Sequence, residues 1–329
     1  MMKKMTRVLL SALLSVTFLS GCAGGSQAAE NEGNKLRITA TIFPLYDWVM
    51  NILGEHAGEA DVTLLLNSGA DLHSYQPTAD DIMKICESDV FIYVGGESDE
   101  WVGDALGAAG NKNMIVLDLL DILGDAAKEE ETVEGMQEEN EHGDEHDEEE
   151  AEYDEHIWLS LRNAEVLVSS ISKALQSADQ DHAGDYEKHT SNYIEKLKEL
   201  DHKYEDAVAA SDYDTLLFGD RFPFRYMAAD YGLTYYAAFA GCSAETEASF
   251  ETVVFLAKKM DELKLHSIIT LESSDRKLAQ TIIENTASKD QQILVMDSMQ
   301  SATLKDVSSG TSYLSIMEKN LEVLRQALE

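Results

Sequence analysis

The sequence predicts an α/β protein made of two lobes, each a four-stranded parallel sheet with flanking helices, joined by one long rigid helix. Three observations support this prediction. The chain has 329 residues, more than the roughly 250–300 that a single hydrophobic core usually holds. Short apolar runs alternate with helical patterns in both halves of the chain, as in parallel sheets covered on both faces. A long helical region separates the two halves.

The N-terminus has the features of a lipoprotein signal peptide over residues 1–21. Basic residues precede an uncharged, mostly apolar run at residues 8–18, too short to span a membrane. The Leu-Ser-Gly-Cys sequence ending at Cys22 resembles a bacterial lipobox. It implies cleavage before Cys22, lipidation of its thiol and a location on the extracytoplasmic face of a bacterial membrane. The alternative is a plain secretory signal with an incidental cysteine. Residues 22–34 are small and polar, and we expect a flexible tether.

Residues 35–160 predict the N-terminal lobe. Its helix over Thr78–Cys86 has Thr78 as a cap, with Asp81 in the first turn. Four apolar runs predict its strands, at Leu36–Ile42, Val62–Leu66, Val90–Val94 and Met114–Leu117.

Residues 161–210 predict a helical region that includes the linking helix. Asn163 is the expected cap of its first helix. The second helix, over about Asp185–Ala209, contains no Gly or Pro and should be stiff.

Residues 211–329 predict the C-terminal lobe. We expect two of its helices at Phe250–Leu263 and Lys277–Thr286. Its expected strands are Thr215–Phe218, Thr234–Ala237, Ser267–Leu271 and Ile293–Met296.

An acidic segment, residues 125–155, interrupts the first lobe. It carries seventeen acidic residues and one lysine, and we expect a solvated, largely disordered loop. It contributes much of the formal net charge of −37. Such a charge repels nucleic acid and anionic lipid and favours cations, so we expect no nucleic-acid partner.

Two cysteines remain after Cys22, and they are far apart in the sequence. Outside the cytoplasm, Cys86 and Cys242 either form a disulfide that clamps the two lobes together or remain two separate buried thiols. The sequence leaves both alternatives open.

Metal-competent side chains follow several predicted strands. Ligands of parallel α/β sheets bind outside the carboxyl ends of the strands, and imidazole with carboxylate suits Zn²⁺ and also accepts Mn²⁺. Each residue also has a structural interpretation, as a surface histidine or a capping carboxylate. The candidate ligands are His73, His156, Asp220, Glu272 and Asp297.

Several of these segments resemble the zinc/manganese family of ABC-transporter solute-binding proteins. HSYQPTADDI at His73 resembles the family's first ligand motif and HIWLSLRNA at His156 its second; MDSM at Asp297, followed by residues 313–324, resembles the fourth. GCSAETEASF, from Gly241, resembles the connection into the second lobe. The resemblance covers nearly the whole chain after the signal. It implies two four-stranded lobes with a metal ion between them.

The sequence departs from the family at the third ligand, where members usually carry His or Glu. Arg221 stands at this position, and its guanidinium has no lone pair to offer a cation. One alternative is that Asp220 substitutes with a one-residue shift. Another is that Arg221 pairs with a ligating carboxylate while a water or a loop histidine completes the shell. Asp220 and Arg221 also have a purely structural interpretation as a pair, and Glu272 is a weaker candidate ligand.

The resemblance also bears on the acidic segment, because zinc-type members often carry a loop rich in His and acidic residues there. His142 and His146 would then collect zinc loosely and pass it to the buried site. Imidazoles in this loop favour Zn²⁺ over Mn²⁺. The alternative is a solvated run with incidental histidines.

The function implied by the resemblance is metal capture rather than catalysis. It predicts a monomeric, lipid-anchored binding protein that delivers Zn²⁺, or alternatively Mn²⁺, to an ABC permease and its ATPase. A second class is an adhesin or scavenger without a transporter. A third is a secreted metallohydrolase, although the sequence has no His-Glu-x-x-His and no nucleophile elbow.

Overall fold

The computed structural model describes residues 35–137, 152–243 and 247–329. Lys35–Glu329 form one compact unit. The predicted signal peptide, Cys22, the tether, His142 and His146 lie outside the described residues. None of the helices in the described ranges has the length and apolar character that crossing a membrane requires.

The first lobe contains a four-stranded parallel sheet in the order β2-β1-β3-β4. Ile38 of the central strand lies opposite Val62 on one side and Val90 on the other. The strands are β1 (Leu36–Ala40), β2 (Ala60–Leu64), β3 (Val90–Tyr93) and β4 (Ile115–Asp118). The helices are α1 (Phe43–Leu53), α2 (Ala79–Glu87), α3 (Val102–Ala108) and α4 (Leu119–Leu123).

Local signals determine where α2 begins. Thr78 accepts a hydrogen bond from the Asp81 amide at 3.2 Å, and the Asp81 carboxylate accepts one from the Thr78 amide at 3.0 Å. This reciprocal capping box satisfies two amides that the first helical turn would leave unpaired. The expected cap at Thr78 is therefore confirmed.

Two helices follow the first lobe, α5 (Leu161–Ala178) and α6 (Ala183–Ala210). The expected cap at Asn163 is wrong: Ser160 is the N-cap, and its hydroxyl accepts from the Asn163 amide at 2.9 Å. α6 has 28 residues and is about 42 Å long at the helical rise of about 1.5 Å per residue. Its buried stripe contains Tyr186, Tyr193, Leu197, Leu200 and Tyr204.

The second lobe repeats the parallel arrangement in the order β6-β5-β7-β8, which confirms the predicted fold class. Its strands are β5 (Thr215–Arg221), β6 (Thr234–Phe239), β7 (Ser267–Leu271) and β8 (Gln292–Met296). Its helices are α7 (Arg225–Tyr231), α8 (Phe250–Leu263), α9 (Lys277–Glu284), α10 (Leu304–Ser308) and α11 (Tyr313–Ala327).

The described flanks of the acidic segment are ordered, contrary to the expectation of disorder. The Glu130 amide donates to the Glu152 carbonyl at 2.8 Å, which closes the base of the segment. The Gln137 amide donates to the Ala238 carbonyl of β6 at 2.9 Å, and Met136 is buried. Backbone pairing and apolar burial therefore hold residues 125–137 and 152–155 in place despite their charge.

Candidate metal centre

Two histidines from the first lobe meet at the edge where the lobes contact each other. His73 lies in a short 3-10 helix, Leu72–Ser74, beyond β2, and the Asp71 carboxylate caps it by accepting from the His73 amide at 3.1 Å. His156 ends the acidic segment and precedes a second 3-10 helix, Ile157–Leu159. Their Nε2 atoms are 3.2 Å apart. The His156 side chain is fully buried, and that of His73 is 10% exposed.

Carboxylates and a hydroxyl contact the opposite nitrogens of both rings. His156 Nδ1 lies 2.9 Å from Asp154 Oδ1. His73 Nδ1 lies 2.8 Å from Ser98 Oγ and 3.3 Å from Glu155 Oε2. A carboxylate accepts the Nδ1 proton of a neutral imidazole and leaves the Nε2 lone pair available to a cation. Both rings therefore have the orientation that metal-ligating histidines usually have.

The Glu155 carboxylate is itself buried against backbone. The Ser98 amide donates to Glu155 Oε1 at 2.7 Å. Burial raises the pKa of Glu155, but hydrogen bonds from His73 and Ser98 outweigh it and hold this pKa below its usual range. Gly96 leaves room for the Glu155 side chain, because a Cβ there would lie 2.5 Å from Glu155 Oε1.

Cys242 is the third metal-competent side chain at this place. His73, His156 and Cys242 each offer a ligand atom, and these three atoms lie within 4.8 Å of one another. From the sequence, Cys242 is expected in a disulfide or as a separate buried thiol, not at the metal. It nevertheless follows the end of β6 by three residues, so the strand-end rule that selected the histidines also applies to it.

Cys86 and Cys242 are free thiols, so the disulfide alternative is wrong in this structure. Cys86 Sγ lies 4.0 Å from the Ala105 carbonyl oxygen, within the first lobe. Both side chains are half-buried. Burial, followed by the charges of Asp154 and Glu130, raises the pKa of the Cys242 thiol.

Arg221 forms an ion pair with Asp71, between β5 and the His73 segment. Arg221 also donates to the Ser243 carbonyl at 3.4 Å. Burial raises the pKa of Asp71, but the Arg221 guanidinium outweighs burial and holds this pKa below its usual range. The side chain of Arg221 therefore pairs with Asp71, while Asp220 accepts from the Arg221 backbone amide at 2.9 Å, which agrees with the structural interpretation of Asp220 and Arg221.

Gln300 covers His156 from the second lobe. Its side-chain amide lies 2.9 Å from His156 Nε2. In the amide orientation that satisfies both groups, the Gln300 oxygen accepts from His156 Nε2 at 2.9 Å and the Gln300 nitrogen donates to Asp71 Oδ1 at 2.8 Å. The contact with Gln300 therefore has to break, and the Nε2 proton has to leave, before His156 Nε2 binds a cation. Sequence reasoning missed both Gln300 and Asp71, because glutamine is not typical of the expected ligand set and Asp71 precedes the motif that begins at His73.

The three predicted carboxylate ligands lie outside the group of His73, His156 and Cys242. Asp220 accepts from the amides of Arg221, at 2.9 Å, and Leu271, at 3.2 Å. Glu272 accepts from the Ser298 amide at 2.9 Å and from the hydroxyls of Ser298 and Ser301. As ligands, Asp220 and Glu272 would have to exchange these contacts within their own lobe for the metal.

Asp297 lies in the turn after β8. Its carboxylate accepts from the Met299 amide at 2.8 Å. Burial and the nearby charge of Glu272 raise the pKa of Asp297 to about 6. Asp297 is thus a buried carboxylate beside the Gln300 segment, and its role as a ligand stays a prediction.

The family model described as "Zinc-uptake complex component A periplasmic" (ZnuA) matches residues 38–327 of this chain. The zinc-binding lipoprotein AdcA of Streptococcus pneumoniae strain R6 is 31% identical over 329 residues, covering 100% of this chain and 62% of that protein. The chain thus spans less than two thirds of the length of AdcA. The high-affinity zinc uptake system protein ZnuA of Bacillus subtilis is 27% identical over 321 residues, covering 96% of both chains.

Solved structures are similar over nearly the whole described chain. The Zn(II)-bound ZnuA-like domain of Streptococcus pneumoniae AdcA superposes with a TM-score of 0.69 at 28% identity, covering 89% of this chain and 99% of that domain. The metal-dependent lipoprotein YcdH from Bacillus subtilis gives 0.70 at 25% identity, covering 90% of this chain and 100% of that chain.

Proposed function

We propose that this chain, which belongs to the ZnuA family of zinc-uptake components, captures a divalent transition metal between its two lobes and delivers it to an ABC importer. The metal is Zn²⁺. The observation that carries this proposal is the pair of His73 and His156, whose Nε2 atoms lie 3.2 Å apart. Two imidazole nitrogens bound to one tetrahedral zinc at about 2.0–2.1 Å are about 3.3 Å apart.

The surroundings of this pair suit capture better than catalysis. His156 is fully buried, and Gln300 covers it from the second lobe, so an ion that replaced the Gln300 amide at His156 Nε2 would be enclosed between protein groups. A catalytic zinc needs an open position for water or substrate. The family consists of uptake components rather than enzymes. We therefore propose a cargo-binding role without a chemical step.

A carboxylate ligand comes from the residues predicted by sequence. Asp297, Asp220 and Glu272 lie in the second lobe at the ends of β8, β5 and β7. Of these, we favour Asp297, because its buried carboxylate has a pKa raised to about 6, and a nearby cation would relieve that cost of burial. A carboxylate from the second lobe would fasten the two lobes around the ion.

The experiment is a titration of the anchor-free protein, residues 23–329, with Zn²⁺ and Mn²⁺ by calorimetry, together with metal analysis. We expect one tight zinc ion per chain and weaker binding of manganese. His73→Ala and His156→Ala should each weaken zinc binding by at least about 100-fold, since each removes one of very few ligands. His266→Ala, an exposed histidine on the second lobe, is the matched control. Equal zinc binding by all four proteins would contradict the proposal.

The acidic segment supplies an accessory collecting loop in this proposal. Its charge and the histidines His142 and His146 favour loose, rapidly exchanging zinc. Deletion of residues 138–151 should remove weak additional zinc equivalents and leave the single tight equivalent unchanged in the same titration. Loss of the tight equivalent would show instead that the loop contributes to the main site.

We further propose that a lipid on Cys22 anchors the protein to the membrane and that a permease with its ATPase receives the metal. The lipobox-like sequence before Cys22 supports the anchor, and the uptake role of the family supports the partners. Cys22→Ala should move the protein from the membrane fraction to the soluble fraction. Pull-down of the anchored protein should recover the permease. A pull-down without it would favour a scavenger or adhesin.

A further inference from the structure

We propose that Cys242 Sγ is the third protein ligand of the captured ion, beside His73 Nε2 and His156 Nε2. This inference rests on the proposed function and specifies its chemistry. The site then has two imidazoles and one thiolate, a shell that favours zinc and other borderline or soft cations over manganese. Neither the sequence motifs nor the comparisons assign a metal to this cysteine.

The geometry is close to that of a loaded site. The ligand atoms of the three residues lie within 4.8 Å of one another, and the two nitrogens are already 3.2 Å apart. In a tetrahedral zinc site, with zinc–nitrogen bonds of about 2.0–2.1 Å and zinc–sulfur bonds of about 2.3 Å, nitrogen and sulfur ligands lie about 3.6 Å apart. The sulfur therefore needs to approach each nitrogen by no more than about 1.2 Å.

The residue that stands at the family's third ligand position cannot bind the ion. Arg221 carries a guanidinium without a free lone pair, and it is held by Asp71 and by the Ser243 carbonyl. Asp220, its neighbour, uses its carboxylate to accept from two backbone amides. Cys242 thus occupies the place of a missing ligand beside the first two.

Contacts on both sides hold the Cys242 segment in place. The Cys242 amide donates to Glu130 Oε1 at 2.8 Å, so the ordered flank of the acidic segment fastens it. Gly241 packs so closely that a Cβ there would lie 3.2 Å from His156 Cε1 and 2.9 Å from the Phe222 carbonyl oxygen. These contacts hold the backbone of Gly241 and Cys242 close to His156.

Binding of zinc to the Cys242 sulfur requires no oxidant or reductant. The S–H bond of Cys242 breaks, an S–Zn bond forms, and the proton passes to the solvent buffer. The two imidazoles bind as neutral ligands through their Nε2 lone pairs. Zinc itself drives the deprotonation, as it does at other thiol ligands.

The experiment uses Co²⁺ as a spectroscopic substitute for Zn²⁺ in the reduced anchor-free protein. A cobalt–thiolate bond gives a sulfur-to-metal charge-transfer band in the near ultraviolet, whereas imidazole and carboxylate ligands do not. We expect this band at one equivalent of cobalt in the unmodified protein and in Cys86→Ser, the matched control. Cys242→Ser should lose the band and bind zinc at least about 10-fold more weakly, while its circular dichroism spectrum stays unchanged.

Two outcomes would overturn the inference. One excludes only the thiolate ligand, and the other excludes zinc capture as well. If Cys242→Ser keeps the band and the zinc affinity while His73→Ala loses zinc, the capture function stands and the thiolate ligand is wrong. If neither the unmodified protein nor His73→Ala takes up zinc or cobalt, the proposed function itself fails, and the thiolate ligand fails with it.

Discussion

Gly241 lies against the His156 ring and leaves no room there for a larger residue. Gly241 is not held in a left-handed conformation, so alanine is compatible with its backbone torsions. The obstacle is contact, because the added Cβ would lie 2.9 Å from the Phe222 carbonyl oxygen and 3.2 Å from the His156 ring. Since a backbone oxygen yields little, the ring or the 241–242 backbone has to move.

Gly241→Ala should therefore weaken zinc binding about 10-fold or more without unfolding the protein, because ligand positions matter to within about 0.5 Å. Calorimetric titration measures this directly. Gly184→Ala, at an open position in α6, is the control and should bind zinc normally. Unchanged affinity in Gly241→Ala would mean that the packing around His156 does not position it.

Single residues also show how far sequence alone predicts the site. His73 and His156 were recognisable because each follows a strand or the long acidic segment within a family-like motif. Their contact at 3.2 Å depends on how the first lobe folds, which no local spacing encodes. Cys242 was missed because two cysteines outside the cytoplasm suggest a disulfide first. Only the folded chain brings its sulfur to the two imidazoles.

At the scale of elements, α1 and α11 connect the two lobes through a buried carboxylate. Asp47 of α1 accepts from the Tyr313 amide, at the start of α11, at 3.2 Å. Burial raises the pKa of Asp47 to about 6, from an ordinary value of 3.8, although the hydrogen bond from Tyr313 lowers it. The folded protein thus holds a proton here more tightly than the unfolded chain does.

The sign of the pH effect follows from this difference. The free energy of unfolding should decrease as the pH rises from about 4 to about 6, because the folded state must then release the proton that it favours. Asp47→Asn keeps an acceptor for Tyr313 without the charge. At pH 7 it should be more stable than the unmodified protein by about 1–3 kcal/mol, and at pH 4 by close to zero.

Denaturant unfolding at both pH values measures this prediction, with the exposed Asp104→Asn as the control. Equal destabilisation by Asp47→Asn at both pH values would contradict it, since the ionised carboxylate would then contribute nothing unfavourable.

Element boundaries were predictable where local chemistry decides them. α8 covers Phe250–Leu263 as expected, with Ser249 accepting from the Thr252 amide at its start. β5, by contrast, extends to Arg221 through a register shift after Phe218 that the sequence did not indicate. Gly219 lets α9 pack closely against this stretch, because a Cβ there would lie 2.8 Å from Ala279 of α9. Tertiary packing, rather than strand propensity, therefore determines where β5 ends.

At the scale of the whole molecule, one apolar core includes residues from both lobes and from the linking helix. Trp48 of the first lobe packs edge-on against Tyr313 of the second, with ring centroids 5.2 Å apart. Tyr204 of α6 donates to the Met317 carbonyl at 2.7 Å. The Trp158 indole donates to the Ser298 carbonyl at 2.9 Å, close to the metal centre. These contacts couple the two lobes in folding.

The anchor-free protein should therefore unfold in one thermal transition. Zinc at about 100 times its Kd should stabilise the folded state by about 2.7 kcal/mol, which raises the Tm by roughly 4 °C for a chain of about 300 residues. His156→Ala should show the same single transition without the shift. Differential scanning calorimetry distinguishes this from two separate transitions, which would mean that the lobes fold independently.

Metal capture between His73 and His156 is tested by a crystal structure of the anchor-free protein with one equivalent of zinc, with diffraction recorded on both sides of the zinc absorption edge. We expect a single anomalous peak within about 2.0–2.1 Å of both His73 Nε2 and His156 Nε2. A strong peak elsewhere, with no peak between these two imidazoles, would contradict this metal site.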